Sequence, residues 1–210
     1  MRPYIIINAA ISIDGKLALA TRKQTDLSDS ADFERVHRLR NSVDAILVGI
    51  NTVLSDDPRL TVKPQYVSNP KNPIRIVLDS SLRIPENAKV LDHSARTIIV
   101  TTESAKRDNM NFEVLRCGTE KVDITMMLEK LSEMGIRRLM VEGGGTVIYS
   151  FLKLQLYDEL SLFIAPVIIG ANAPTLAEGA AAMNIDDLIR LKLISVQVLG
   201  SGIYCRFARP

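Results

Sequence analysis

Leu139-Met140-Val141-Glu142-Gly143-Gly144-Gly145-Thr146 constrains this chain more than any other stretch. The apolar run from Arg138 to Val141 reads as a buried strand. Three consecutive glycines break it just before Val147, Ile148, Phe151 and Leu152, which have helical spacing. Strand, glycine turn and helix in that order make an α/β unit. Glycine has no Cβ, so the backbone can turn tightly and bring its N–H groups close to a phosphate, and the N-terminus of the following helix adds a partial positive charge. The stretch is therefore a candidate pyrophosphate cradle, or more simply a strand-to-helix corner. Glu142 favours the first reading, because a carboxylate at the C-terminal end of a buried strand stands where open α/β sheets bind ligands. The spacing is not Gly-x-Gly-x-x-Gly, so an ordinary dinucleotide-binding Rossmann domain is not the inference.

The 210 residues, 47% of them hydrophobic, suffice for one sizeable core and are few for two, so a single domain over 1–210 is expected. A net charge of +2, from 26 basic and 24 acidic residues, supplies no global field for nucleic acid or an anionic membrane. The two cysteines, Cys117 and Cys205, are far apart and only two histidines accompany them, so no metal site is expected. Ile5-Ile6-Ile7 is too short an apolar run for a signal peptide or a membrane span, which points to the cytoplasm.

Tyr4 to Ser12 reads as a central strand ending in an Asp14-Gly15 turn, and Thr21 to Ser30 as a polar loop. A helix starting near Ser28 or Ser30 and ending with Arg38 and Arg40 suits the helix dipole at both ends and leaves His37 on its surface. Asp44 to Gly49 is the next strand, with Gly49 permitting a sharp turn into Asn51-Thr52-Val53-Leu54. Ser55-Asp56-Asp57-Pro58-Arg59-Leu60-Thr61-Val62-Lys63 then carries more charge and rigidity than a solubilising loop needs. Pro73 to Asp79 and Arg96 to Thr102 read as strands finishing in Ser80-Ser81-Leu82-Arg83 and in a polar segment with Lys106 and Arg107, one rim suited to anions. Phe112 to Cys117 reads as a short strand. Asp123 caps a helix with Ile124, Met127, Leu128, Leu131 and Met134 on its apolar face and Gly135 at its end. Glu159 to Ile169 reads as one long strand with Pro166 at a bulge. Leu191 to Leu199 and Ile203 to Ala208 form a terminal hairpin around Gly200-Ser201-Gly202. The fold class is thus α/β, a mostly parallel sheet with flanking helices and a C-terminal antiparallel hairpin.

Taken together, Ile6-Asn8-Ala9-Ser12 with Asp14-Gly15-Lys16, Val48-Gly49 with Thr52-Val53-Leu54 and Asp56-Asp57-Pro58 with Leu60-Thr61-Val62, Arg75-Ile76-Val77-Leu78-Asp79, and Val141-Glu142-Gly143-Gly144 resemble the riboflavin-biosynthesis pyrimidine reductases. The resemblance spans nearly the whole chain with the motifs in order. It implies a dihydrofolate-reductase-like fold, NADPH as cofactor, a homodimer, and reduction of the ribosylamino side chain of a pyrimidine 5′-phosphate. The His-x-Glu and Pro-Cys-x-x-Cys elements of the zinc deaminase fused to this reductase in bacteria are absent from the chain. The resemblance is therefore to the stand-alone archaeal or fungal type, which acts on 2,5-diamino-6-(ribosylamino)-4(3H)-pyrimidinone 5′-phosphate. By resemblance, Thr52, Asp56, Ser80, Ser81, Leu82, Arg83, Gly143, Gly144, Gly145 and Thr146 contact NADPH. Gln24, Arg40, Leu60, Lys63 and Glu142 hold substrate, and Asp56 and Glu142 are the candidate catalytic groups. Lys63 stands where fused relatives often have Arg, a point charge in place of a bidentate fork. Two other readings stay open: a reductase of this fold acting on the deaminated pyrimidine or a pterin, and a non-catalytic nucleotide-binding module.

Overall fold

The computed structural model describes residues 1–22, 25–108 and 110–210. Among them the elements are β1 (Tyr4–Ser12), α1 (Ser30–Asn41), β2 (Ala45–Gly49), α2 (Ile50–Asp56), β3 (Ile74–Leu78), β4 (Thr97–Thr101), β5 (Glu113–Arg116), α3 (Ile124–Glu133), β6 (Arg138–Gly143), α4 (Gly145–Lys153), β7 (Glu159–Ala165), β8 (Lys192–Leu199) and β9 (Gly202–Ala208). The strands form a nine-stranded sheet ordered β5-β4-β3-β2-β6-β1-β7-β9-β8. β1–β7, β2–β3, β3–β4 and β4–β5 pair in parallel, and β9 runs antiparallel to both β7 and β8. This is the mostly parallel sheet with a terminal antiparallel hairpin that the hydrophobic pattern predicts. The chain divides into two compact units, Met1–Tyr4 with Glu34–Met140, and Ile5–Phe33 with Val141–Pro210.

In the first unit, the β-branched and aliphatic runs of β2, β3 and β4 are buried at nearly every position, as strands covered on both faces must be. Arg75 is the exception in kind. Its side chain is fully buried on β3, yet its guanidinium donates to Thr97 Oγ1 (2.8 Å), Asp92 Oδ1 (2.8 Å), Ser94 Oγ (3.2 Å) and the carbonyls of Asp92 (2.5 Å) and Ala95 (2.6 Å). A buried cation is tolerable only when its donors are used in this way. An aliphatic core of the same unit joins Ile46, Val48, Ile50 and Val53 to Leu60, Val77, Leu82, Ile84 and Ile99. Asp123 caps α3 as its sequence predicts, accepting from Met126 N at 3.0 Å, and Gly135 leaves the helix at φ +88. Met127 is buried but Met134, placed with the core by its spacing, is exposed at the C-cap, where the helical register has already ended. Gly49 needs no glycine conformation: at φ −82 and ψ 155 it is ordinary extended backbone at the N-cap of α2. The turn there follows from α2 beginning directly after β2.

In the second unit, β1 is buried through Ile5, Ile6, Ile7, Ala9 and Ile11 and lies beside β7 in the register Ile7↔Leu160, Ala9↔Leu162. β7 stops at Ala165 rather than running to Ile169, because Pro166 offers no N–H to continue a ladder and Val167 N turns back to Ala165 O at 2.8 Å. The amides that the strand would have used are taken up by Asp14, whose carboxylate accepts from Ile169 N (3.0 Å) and Gly170 N (2.7 Å). The Asp14-Gly15 turn is thus a fastening between two loops. Gly200 and Ser201 make the hairpin turn, and Asp29 pins it by accepting from Ser201 N at 2.6 Å.

Candidate functional site

In the first unit the candidate residues sit on α2, near the end of α1 and on loops anchored by buried leucines. α2 carries Thr52 and ends on Asp56. The Oδ1 of Asp56 is buried without a hydrogen-bond partner, and desolvation pushes its carboxyl above the ordinary value against the opposing hydrogen bond of Ser55. A carboxyl kept in that state costs stability, which makes Asp56 a candidate functional group. Its neighbour Asp57 is differently employed: it accepts from Lys89 N at 2.8 Å and pairs with Lys89 Nζ at 3.2 Å.

Leu60 and Leu82 stand out together. Both lie in the left-handed region, at φ +52 and +54, and both bury their side chains, 3% and 4% exposed, in the same aliphatic cluster. Left-handed backbone is unfavourable for leucine, and burial of the side chain is what holds each residue there. The consequence is that the flanking polar residues face outward: Ser80, Ser81 and Arg83 beside Leu82, and Lys63 just beyond Leu60, are all exposed. Arg83 donates to Asn51 Oδ1 at 3.0 Å, which links the Ser80–Arg83 rim to α2.

Arg40, near the end of α1, donates to Thr61 O at 3.1 Å, so it reaches the same segment that carries Leu60 and Lys63. His37, which its helical position would leave on the surface, is instead 3% exposed. Its Nδ1 accepts from Lys63 N at 3.2 Å and its ring stacks on Tyr66 at 4.9 Å. The segment from 60 to 66 folds back over α1 and covers it, a long-range contact that no helical periodicity reports. Arg59, the next cation in the loop, is occupied by Asp92.

Arg107 is also reassigned. Read as a phosphate-binding cation of the rim, it donates instead to the carbonyls of Leu82 (3.2 Å) and Ile84 and to Glu86 Oε1 (3.3 Å), and stacks over Phe112. Lys106 beside it is exposed.

In the second unit the glycine stretch divides its labour. Gly143 is the last residue of β6, at φ +118, a conformation for which glycine is suited, and its peptide bond to Gly144 is cis. Gly144 is the N-cap of α4 and offers no side chain to the helix, so the first N–H groups of α4 have no capping side chain. Gly145 has a packing reason: a Cβ there would lie 2.4 Å from Thr175 O and 2.8 Å from Glu178 Cγ, and its carbonyl accepts from Glu178 N at 3.1 Å. Glu142 precedes them, half-buried, and Thr146 is exposed. An uncapped helix N-terminus behind a glycine turn suits a phosphate-bearing cofactor, as the outward serines and Arg83 of the first unit do. Glu178 also meets Arg22 at 3.6 Å. Gln24 lies outside the described residues.

An α/β sheet with a terminal antiparallel hairpin, polar residues exposed after its strands and a glycine turn into a helix define a protein of dihydrofolate-reductase-like fold. Dihydrofolate reductase from Enterococcus faecalis superposes with a TM-score of 0.58 over 98% of this chain and 96% of that one, at 9% identity, a likeness of fold alone. The chain belongs to the RibD C-terminal domain family, which matches residues 3–205. It is 45% identical to the 2,5-diamino-6-ribosylamino-4(3H)-pyrimidinone 5′-phosphate reductase of Methanothermobacter thermautotrophicus, across 99% of this chain and 98% of that protein. RibD of Acinetobacter baumannii superposes on the whole chain with a TM-score of 0.88 at 26% identity, and the chain spans 58% of that protein's length.

Proposed function

We propose that this chain is an NADPH-dependent reductase of riboflavin biosynthesis that converts the ribosylamino side chain of 2,5-diamino-6-(ribosylamino)-4(3H)-pyrimidinone 5′-phosphate to the ribitylamino product. The observation that carries the reading is the end-to-end 45% identity to a reductase of that name. The exposed rim at Ser80, Ser81 and Arg83 and the uncapped N-terminus of α4 support the cofactor half of it. When bound, reduced nicotinamide supplies a hydride. In the reaction the glycosylamine opens to an imine, C1′ accepts the hydride, and a proton goes to the nitrogen, so the product gains two hydrogens.

The roles of the chain's own residues follow from their chemistry. Gly143 to Thr146 give backbone N–H groups to the cofactor pyrophosphate, Thr52 donates a hydroxyl, and Ser80, Ser81 and Arg83 take the 2′-phosphate, with Leu82 turning that rim outward. Arg40 and Lys63 hold the substrate phosphate, and Leu60 and, by resemblance, Gln24 are further substrate residues. Asp56 and Glu142 orient polar groups of the reactants, and the raised proton affinity that burial gives Asp56 suits it to holding a proton. The whole chain, 1–210, works as one reductase domain in the cytoplasm. It pairs with a second copy through β8, whose Leu193, Ile194, Val196 and Val198 are all exposed on an edge strand.

The two nearest substrates are separated by one comparison. With NADPH saturating, kcat/KM is measured for the diamino compound and for its deaminated counterpart. Preference for the diamino compound supports the reading, and turnover of the deaminated one alone moves the enzyme to the later position.

A further inference from the structure

The rim from Asp79 to Ile84 is fixed far more heavily than a connection between β3 and the next element requires. Its backbone is closed by Leu82 N donating to Asp79 O at 3.2 Å. The carboxylate of Asp79, fully buried, accepts from Ile84 N at 2.8 Å through Oδ2. From beyond β4, Thr102 donates through Oγ1 to Ser80 O at 3.0 Å, and Arg107 donates to the carbonyls of both Leu82 and Ile84. Arg107 is held in turn by Glu86 and by the Phe112 ring 5.5 Å from its guanidinium carbon. The bonds from Asp79, Thr102 and Arg107 all end on backbone groups of the rim. What remains outward is Ser80, Ser81 and Arg83. The central Leu82 is held at a left-handed φ that leucine disfavours, and such strain persists only where the surroundings over-determine it.

We infer that Arg107 and Asp79 are positioning residues for cofactor discrimination: they hold the rim in the one conformation that presents Ser80, Ser81 and Arg83 together to the 2′-phosphate, and neither touches it. This rests on the reading of Ser80–Arg83 as the 2′-phosphate site. It differs from that reading in giving a cation of the rim a purely internal task. Preorganised donors bind an anion without the ordering cost that a loose turn would incur on binding, so loss of the brace weakens recognition of the 2′-phosphate specifically.

The test uses the full chain and 2′-phospho-AMP as the probe, beside steady-state kinetics with NADPH and NADH. Arg107→Ala is expected to weaken 2′-phospho-AMP about tenfold, the order of one charge-assisted contact, and to raise KM for NADPH with kcat held. KM for NADH, which lacks the phosphate, is expected to move much less. Arg107→Lys keeps the charge and a donor for the carbonyls but loses the second nitrogen that meets Glu86 and the planar group that stacks on Phe112, so the brace predicts partial recovery, whereas a direct phosphate contact predicts nearly full recovery. In the double variant with Arg83→Ala the losses are expected to fall well short of additive, because Arg83 is already misplaced once Arg107 is gone. If Arg107→Ala folds poorly, Arg107→Lys alone decides: an unchanged affinity overturns the inference. So do additive losses. A wild-type chain that fails to bind 2′-phospho-AMP overturns the cofactor reading itself, a result distinct from either.

Discussion

Asp56 and Asp14 are carboxyls driven in opposite directions by their surroundings, Asp56 upward by burial and Asp14 downward by hydrogen bonds. Burial raises Asp56, so its charged form is disfavoured in the fold and it detracts from stability at neutral pH. Asp56→Asn is accordingly expected to raise the melting temperature slightly at pH 7 while lowering kcat/KM by about ten- to a hundredfold. A variant losing both together would make Asp56 structural. Asp14 is held down to about 2 from an ordinary 3.8, by Ser12 first and then by the amides of Ile169 and Gly170, which outweigh desolvation. A depressed carboxyl stabilises the fold above its unfolded value and loses that contribution as pH falls through the folded one. The gap in melting temperature between the parent chain and Asp14→Asn, open at pH 7, is therefore expected to close between about pH 4 and pH 2. A gap independent of pH would mean that the asparagine fails for reasons of shape. His37 and Arg107 mark the limit of sequence reading at this scale. Each has an obvious local use, a helix surface and an anion rim, and each is claimed by a segment distant in sequence, 60–66 for His37 and 82–86 for Arg107.

At the scale of elements, strand and helix positions are legible because hydrophobic period and caps are local. Asp123 and Gly135 bracket α3 from sequence alone, and β2, β3 and β4 are continuous apolar runs. Strand β7 ends early because a single Pro outweighs an apolar run that continues past it. The strand–glycine–helix corner at β6 and α4 is legible as a unit but not residue by residue, since Gly145 answers to Thr175 and Glu178, which lie far along the chain. Gly145→Ala forces Cβ against a backbone carbonyl and is expected to destabilise by about 1–3 kcal/mol in chemical denaturation. Gly144→Val is expected to reduce NADPH affinity by far more than it reduces stability, and unchanged affinity in a folded Gly144→Val protein would remove the cradle from the cofactor site.

At the scale of the molecule, the apolar edge strand β8 is the feature that a lone subunit does not account for. Val198 is 83% exposed, and edge strands that stay monomeric carry charges or prolines where this one carries Leu193, Ile194 and Val196. Sedimentation of the parent chain is expected to give the mass of two subunits and Val198→Lys that of one, with the fold retained by circular dichroism. A parent chain sedimenting as one subunit would refute the pairing. NADPH absorbance is followed with and without 2,5-diamino-6-(ribosylamino)-4(3H)-pyrimidinone 5′-phosphate, and the product is weighed by mass spectrometry. Substrate-dependent loss of NADPH, matched mole for mole by a product heavier by two hydrogens, is the predicted result, and NADPH binding without any such oxidation would contradict it.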